Sequence, residues 1–273
     1  MSLVLEQQVA LVAAALLAAA TLVRVWAFAA GRSGDRPTFA LLMAAVAVLG
    51  AMIAGRWIRE GQGPFLTMYD VLLSNAFSLG LLFLLVSWRL PVVRSASLVA
   101  CPVLAVLGIW MLVVPSEGVP LPPTFDNYWL WVHVGAGKLF LGVCLASMSA
   151  AALLLLRQRA ADSRRMAMAR DPEELSRAVW LLFFLAFVFH SFMLVAGAVW
   201  AHSAWGRYWS WDPLETWTLA TWLLLGFILH ARATFKGMPE NLGYSLVIAS
   251  FVLAFLTFFG VPLINNAPHK GVM

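Results

Sequence analysis

Trp205-Gly206-Arg207-Tyr208-Trp209-Ser210-Trp211-Asp212-Pro213-Leu214-Glu215-Thr216-Trp217 packs four tryptophans and a tyrosine into one short polar interruption. A long apolar run lies on either side of it. Gly206 and Pro213 break a continuous helix, and Arg207, Asp212 and Glu215 keep the segment out of hydrocarbon. Its sequence reads as an aromatic surface lying at a membrane face. Tryptophan and tyrosine collect wherever helices leave a bilayer, so an ordinary interfacial belt accounts for some of these rings. It does not account for their density or for the order W-G-x-x-W-x-W-D-P, which favours a ligand surface.

The rest of the chain has the composition such a segment requires. Of 273 residues, 62% are hydrophobic and 11% charged, against roughly a quarter charged in soluble domains. Apolar runs of span length recur. The expected fold is an all-α integral membrane protein of eight transmembrane helices forming one polytopic domain, with the tryptophan segment (about 200–217) between helices six and seven. The spans fall at about 3–29, 38–57, 69–88, 95–114, 129–156, 177–200, 217–235 and 242–264. Residues 128–273 form the expected functional core. Met1 to Gln8 lacks a basic n-region and the first apolar run is already span-length, so no cleaved signal peptide is expected.

An even number of spans places both termini on one side. With the termini outside, 13 of the 18 Lys and Arg residues lie in inner connections and flanks, and only Arg56, Arg59, Lys138, Arg207 and Lys270 lie outside. The positive-inside rule selects that orientation, so the tryptophan segment is expected on the outer side. The net charge of +5 belongs to these connections and indicates no nucleic-acid binding. Three further outer segments are expected: a glycine-rich loop before Met68, an extended proline-rich stretch from Pro115 to Tyr128, and the tail from Asn265. The basic inner connection, Arg157 to Arg177, is expected to contain a surface helix. Within it, Asp171-Pro172-Glu173-Glu174 reads as a terminator or as the cap of the next helix. Cys101 and Cys144 lie in apolar runs without a C-x-x-C and read as small buried hydrophobes. There is no C-x-x-C-H, no P-loop and no Rossmann glycine motif.

The chemistry rests with five histidines. His133 follows Tyr128-Trp129-Leu130-Trp131 at the outer mouth of span five, and His269 lies in the tail. Taken singly, each reads as an interfacial histidine bonded to water. Their common side with the aromatic segment favours a pair of axial ligands to a haem iron. His190 and His230 fall within spans, where an ionisable residue marks a functional position by default; a cross-helix hydrogen bond for His190 and an interfacial place for His230 are the plainer readings. His202 opens the aromatic segment as an alternative ligand or a polar lip. Lys138, Arg56, Arg59 and Arg207 are candidate partners for haem propionates.

The pattern from Trp205 to Glu215 resembles the tryptophan-rich WWD signature of the haem-handling superfamily of cytochrome c biogenesis. With Gly197-Ala198-Val199-Trp200-Ala201 before it and Glu215-Thr216-Trp217 after it, the chain resembles specifically the CcsA (ResC) family of system II. Leu229-His230-Ala231-Arg232, Phe258-Phe259-Gly260 and Met68-Tyr69-Asp70 extend the likeness to about two thirds of the chain. The resemblance implies that haem b reaches the outer face through the protein and is held there by His133 and His269. It further implies that His230 ligates haem within the membrane and that Trp205, Gly206, Trp209, Trp211, Asp212 and Pro213 present it. The implied activity is holocytochrome c synthesis, joining haem vinyl groups to the thiols of C-x-x-C-H in an apocytochrome c. The implied partners are a CcsB/ResB-like membrane protein, a thiol-reducing thioredoxin-like protein and membrane lipid.

Departures from the family pattern mark this chain. Leu214 stands after Asp-Pro where lysine is common, Lys138 stands where a small or aromatic residue is usual, and Ala267-Pro268-His269-Lys270 replaces the usual tail. His190, not general to the family, is expected at a depth within about 5 Å of His230, as a second intramembrane ligand. Two rival readings are a CcmC-like protein passing haem to a chaperone, and a proton-coupled transporter whose tryptophans are merely interfacial. Eight spans and W-D-P-x-E-T-W favour the CcsA-like reading. A transporter would be expected to show repeat symmetry, and the chain has none evident.

Overall fold

The structure, a computed structural model, describes residues 3–159, 171–235 and 237–264. Among the described residues there is no strand. The long helices are α1 (Leu3–Ala29), α2 (Asp35–Glu60), α3 (Met68–Arg89), α4 (Ser97–Met111), α5 (Tyr128–Arg159), α6 (Pro172–Trp205), α7 (Pro213–Thr234) and α8 (Glu240–Phe255). A π-turn, Leu256–Gly260, continues α8 into a last short helix, α9 (Val261–Ile264). With a 3-10 turn at Pro91–Ala96 leading into α4, and with α8 running on to Leu263, these make eight segments long and apolar enough to cross a membrane. In hydrocarbon, helices satisfy every backbone group internally, which is why the apolar runs take this form.

Several ends differ from their expected places. The sixth span runs from Pro172 to Trp205 instead of 177–200. It starts earlier because Asp171 caps it, accepting from the Glu173 N–H at 2.9 Å with Pro172 in the first turn. It stops at Gly206, whose φ of 74° is the left-handed geometry that closes a helix, its N–H donating to the His202 carbonyl. The seventh span begins at Pro213, inside the tryptophan segment, because Pro213 suits a first helical turn. The fourth ends at Met111, short of 114. The proline-rich stretch contains a 3-10 turn at Pro123–Phe125. Most of the basic inner connection (160–170) lies outside the described residues.

One apolar core runs from Ala10 on α1 to Phe259 in the π-turn. The axis is α5, whose most apolar stretch is 78% buried against 33% for each of α1 and α2. It packs most extensively against α6. A smaller cluster of Leu66, Phe125, Leu130 and Trp200 closes the bundle at the end bearing the tryptophan segment. Trp200 holds it to the proline-rich stretch, donating from Nε1 to the Thr124 carbonyl at 3.0 Å.

The N-terminal helices are tied at that same end by a buried ionic cluster. Arg56, 2% exposed, donates from Nε to Asp70 Oδ1 at 2.5 Å, and from Nη1 to Glu6 Oε1 and the Ser116 carbonyl at 2.8 Å each. Arg59 meets the other Glu6 oxygen at 2.5 Å. Asp70 and Thr67 also form a reciprocal cap on α3. One guanidinium thus joins α1, α2, α3 and the segment after α4. Removing a member of a buried charge cluster leaves the others uncompensated, at a cost of about 3–5 kcal/mol. Arg56→Met is therefore expected to lower the thermal unfolding midpoint in detergent markedly; an unchanged midpoint would show that the cluster does not hold these helices.

Candidate functional site

The tryptophan segment folds by ordinary capping rules. Asp212 is the N-cap of α7, its Oδ1 accepting from the Glu215 N–H at 2.9 Å. Glu215 reaches back, accepting from the N–H of Ser210 at 2.7 Å and from its hydroxyl at 3.1 Å. Both carboxylates are buried and committed to turning the chain. Asp212 thus starts α7 while Glu215 ties the preceding turn to it. Trp211 carries the remaining strain, with φ at 59° among the positive values that bulky residues rarely adopt.

That turn sends the indoles to different places instead of spreading them in one sheet, as the sequence suggested. Trp205 packs inward on Trp200, ring centroids 4.9 Å apart. Trp211 projects outward, 68% exposed, and meets Trp209 edge-on at 84°. Trp209 lines a cleft, together with Tyr208 and Leu214. Its indole Nε1 is buried without a hydrogen-bond partner among the described residues. Gly206, Asp212 and Pro213 shape the segment and do not line the cleft.

The cleft, of about 200 Å³, lies between α3, α5, α6, the start of α7 and the π-turn. Its walls include Phe65, Met193, Phe258 and Pro262, with His133, Lys138, Ser74 and Glu215 as the polar groups that matter most. A π-turn at a cavity wall is a frequent mark of a functional position. His133 is held by α6. Its Nδ1 lies 2.8 Å from the Met193 carbonyl and its ring stacks on Trp200 at 6.1 Å, 18° from parallel. A carbonyl can only accept, so Nδ1 carries the proton and the basic lone pair of the neutral ring falls on Nε2. This is how proteins orient a histidine that ligates a metal. The fit depends on Gly197, where an added Cβ would lie 2.6 Å from His133 Nδ1.

The other histidines are elsewhere. His190 is fully buried between α5 and α6, stacked on Phe140 at 4.2 Å, and neither ring nitrogen has a hydrogen-bond partner among the described residues. The cross-helix bond belongs to its neighbour, since Ser191 accepts from Trp222 Nε1 at 2.8 Å. His230 is exposed on the face of α7 that also carries Leu223 and Phe227. Contacts of Phe187 with Trp222 and of Trp180 with Arg232 set the register of α6 against α7. They put His230 level with residue 181, about 13 Å along the helix from His190. The expected shared depth is therefore corrected: the rings point to different surroundings and do not converge. Depth counted from helix ends assumes that the ends are level, and the side-chain contacts between α6 and α7 set a different register. His202 stacks on Tyr208 at 4.3 Å and is exposed, outside the cleft. His269 lies outside the described residues.

The arginines also sort differently from expectation. Arg56 and Arg59 are paired with carboxylates in the buried ionic cluster and do not line the cleft. Arg207 is exposed and does not line the cleft. Among the described residues no three His, Cys, Asp or Glu side chains group as ligands for a bare metal ion. The donor chemistry is one oriented imidazole in an aromatic, largely apolar setting. Met193, Gly197, Phe258 and Glu215 were not singled out as cleft residues by motif alone. Glu215 belongs to the tryptophan pattern, Gly197 to the stretch before it and Phe258 to a separate stretch of likeness near the end of the last span, whereas Met193 carried no signal.

Comparison with known proteins bears on this arrangement. The family described as "Cytochrome C assembly protein" matches residues 65–269. The chain is 30% identical to the cytochrome c biogenesis protein CcsA of Chlamydomonas reinhardtii, across 82% of this chain and 65% of that one. It is 28% identical to CcsA of Prochlorococcus marinus (strain NATL2A), across 90% and 87%. The cytochrome c heme lyase CcmF has a similar fold, with a TM-score of 0.70 and 18% identity over 94% of this chain and 46% of that one. A match covering the cleft, the tryptophan segment and all four helices around them identifies the chain as a member of the cytochrome c assembly protein family.

Proposed function

We propose that this chain holds haem b in the cleft, with His133 as an axial ligand, and presents it for thioether attachment to C-x-x-C-H of an apocytochrome c. The observation that carries this reading is the orientation of His133: Nδ1 held at 2.8 Å from the Met193 carbonyl, in a cleft walled by Trp209. The orphaned Trp209 N–H supports it, because an unpaired buried donor costs about 1–3 kcal/mol that a bound acceptor would offset. The volume matters as well. About 200 Å³ is below the roughly 300–1,000 Å³ usual for cavities that enclose a ligand. The macrocycle is then only partly enclosed, with one edge outside for a second protein to reach.

His269 is the proposed second ligand. Pro262 lines the cleft, and the seven residues that follow it to His269 can reach at most ~25 Å. With both imidazoles on iron, an indole beside the ring limits its freedom and aligns a vinyl group for the incoming thiol. The chemistry is then an addition: sulfur bonds to the inner vinyl carbon, the thiol proton ends on the outer one, and the double bond becomes single. No electrons are exchanged in that step, so this chain has only to position the haem and exclude water. The cysteines must arrive reduced, which assigns a thioredoxin-like reductant to the pathway.

His230 is proposed as an intramembrane ligand at a surface shared with a CcsB/ResB-like membrane protein. Its place on the outward face of α7 suits a haem held between two chains, and lipid flanks the same face. His190 does not pair with His230, because the register of α6 against α7 separates the two by about 13 Å along the helix. The tryptophan segment is proposed to face the outer side of the cell membrane, supported by the distribution of Lys and Arg across the connections.

Three outcomes test this reading. His133→Ala is expected to abolish or shift the Soret band of the purified protein, with added imidazole restoring it; an unaltered spectrum would exclude His133 as a ligand. Gly197→Ala is expected to disturb the same spectrum without touching the ligand itself, because its methyl group displaces the ring; a wild-type spectrum with normal folding would contradict the account of ring positioning. Both native cysteines are buried, so Trp211→Cys offers a thiol at an exposed position. Labelling of that thiol by a membrane-impermeant maleimide in intact cells or spheroplasts is expected, and labelling only after lysis would reverse the orientation.

A further inference from the structure

Lys138 is the feature of the cleft that the reading above leaves unused. It is on α5, five residues beyond His133, hence about 7 Å deeper along the helix. Its Nζ donates to Ser74 Oγ on α3 at 2.8 Å. The serine hydroxyl turns its own proton toward the Val71 carbonyl at 3.3 Å, so this partner is neutral. Among the described residues Lys138 has no carboxylate within ion-pair distance. The carboxylate that shares the cleft, Glu215, is occupied with Ser210 near the start of α7. Beside Lys138 on the cleft wall is Asn75. Its amide nitrogen donates to the Val71 carbonyl at 2.8 Å, while its oxygen is buried without a partner.

An ammonium group inside a span is costly unless it is paired, and such groups mark the path or seat of a charged ligand. The cleft therefore has opposite polarity at its two ends: a basic group with no carboxylate partner among the described residues in its depth, and a carboxylate toward the tryptophan segment. A ligand with a carboxylate edge and an apolar edge enters such a cleft one way round.

We propose that Lys138, seated on Ser74, is a positioning residue that binds a carboxylate group of the ligand and so directs the opposite, apolar edge toward Tyr208 and Trp209. The inference rests on the haem reading and deepens it. Haem carries its two propionates on one edge and its two vinyl groups away from them. A propionate on Lys138 and iron on His133 put both contacts along one helix and leave the vinyl edge toward the mouth. Glu215 acts in the same sense, disfavouring a propionate beside Ser210.

The test titrates detergent-purified full-length protein, stripped of haem, with iron protoporphyrin IX and with its dimethyl ester, whose side chains carry no charge. The readout is the Soret band. Wild type is expected to bind the free acid at least about tenfold more tightly than the ester, the scale of one charge-assisted hydrogen bond. Lys138→Met is expected to lose that preference by weakening the free acid alone, and Lys138→Arg to retain part of it. Ser74→Ala is expected to reduce the preference by loosening the seat of the ammonium group. Equal affinities of wild type for the two porphyrins, or a preference that survives in Lys138→Met, would overturn the proposal. A change of iron coordination in Lys138→Met seen equally with the ester would also overturn it, making Lys138 an iron ligand. Failure of wild type to bind either porphyrin is a different result: it removes the haem reading itself, and this inference with it. Should Lys138→Met not fold, Lys138→Arg and Ser74→Ala carry the same comparison.

Discussion

The contact on which the site depends is the one between His133 and the backbone of α6. A ring nitrogen 2.8 Å from the Met193 carbonyl, with no Cβ at Gly197 to push it away, fixes a tautomer and a direction together. A helix carbonyl normally faces along its own axis and is satisfied within its helix. Here α6 comes close enough to α5 for a side chain to use one. That closeness is local to glycines on both helices: Gly197 faces His133, and on α5 an added Cβ at Gly137 would lie 3.1 Å from the Met193 sulfur. The rest of the site is arranged around α5: α3 brings Ser74 and Asn75, the π-turn brings Phe258, and the turn between α6 and α7 brings Trp209.

The polar chemistry of the chain gathers near this end, and its parts do different work. Arg56, Arg59, Glu6 and Asp70 neutralise one another and lock the N-terminal helices. Asp212 and Glu215 terminate and restart helices. Among the described residues, His133 brings an imidazole and Lys138 an amine into the cleft that these frameworks leave open. A ligand combining a metal centre, a flat apolar body and an anionic edge answers each of those features in turn.

Much of this was legible in the sequence, for physical reasons that differ by element. Spans were legible because hydrocarbon thickness sets helix length, and their ends were not, because capping overrode hydropathy: Asp171 and Pro172 extended α6, and Pro213 began α7 within the aromatic segment. Trp209 and His133, singled out by motif and by place along the chain, both line the cleft. The sorting of Trp205 inward and Trp211 outward depended on the 59° torsion at Trp211, which no spacing rule reports. The roles of Arg56 and Arg59 were misjudged because their partners, Glu6 and Asp70, are 50 and 14 residues from Arg56. Depth estimates for His190 and His230 failed for a related reason, since register between helices comes from side-chain contacts such as Phe187 with Trp222.

The central claim is that the cleft beside His133 holds the porphyrin and that Trp209 lies against it. A cryo-electron microscopy map of the haem-loaded protein in a lipid nanodisc tests this directly. The account predicts planar density between His133 and Trp209, joined to the imidazole through Nε2, with one edge toward Lys138 and the other open beside Tyr208. Density on the outward face of α7 alone, or a cleft left empty while haem is bound elsewhere, would contradict it.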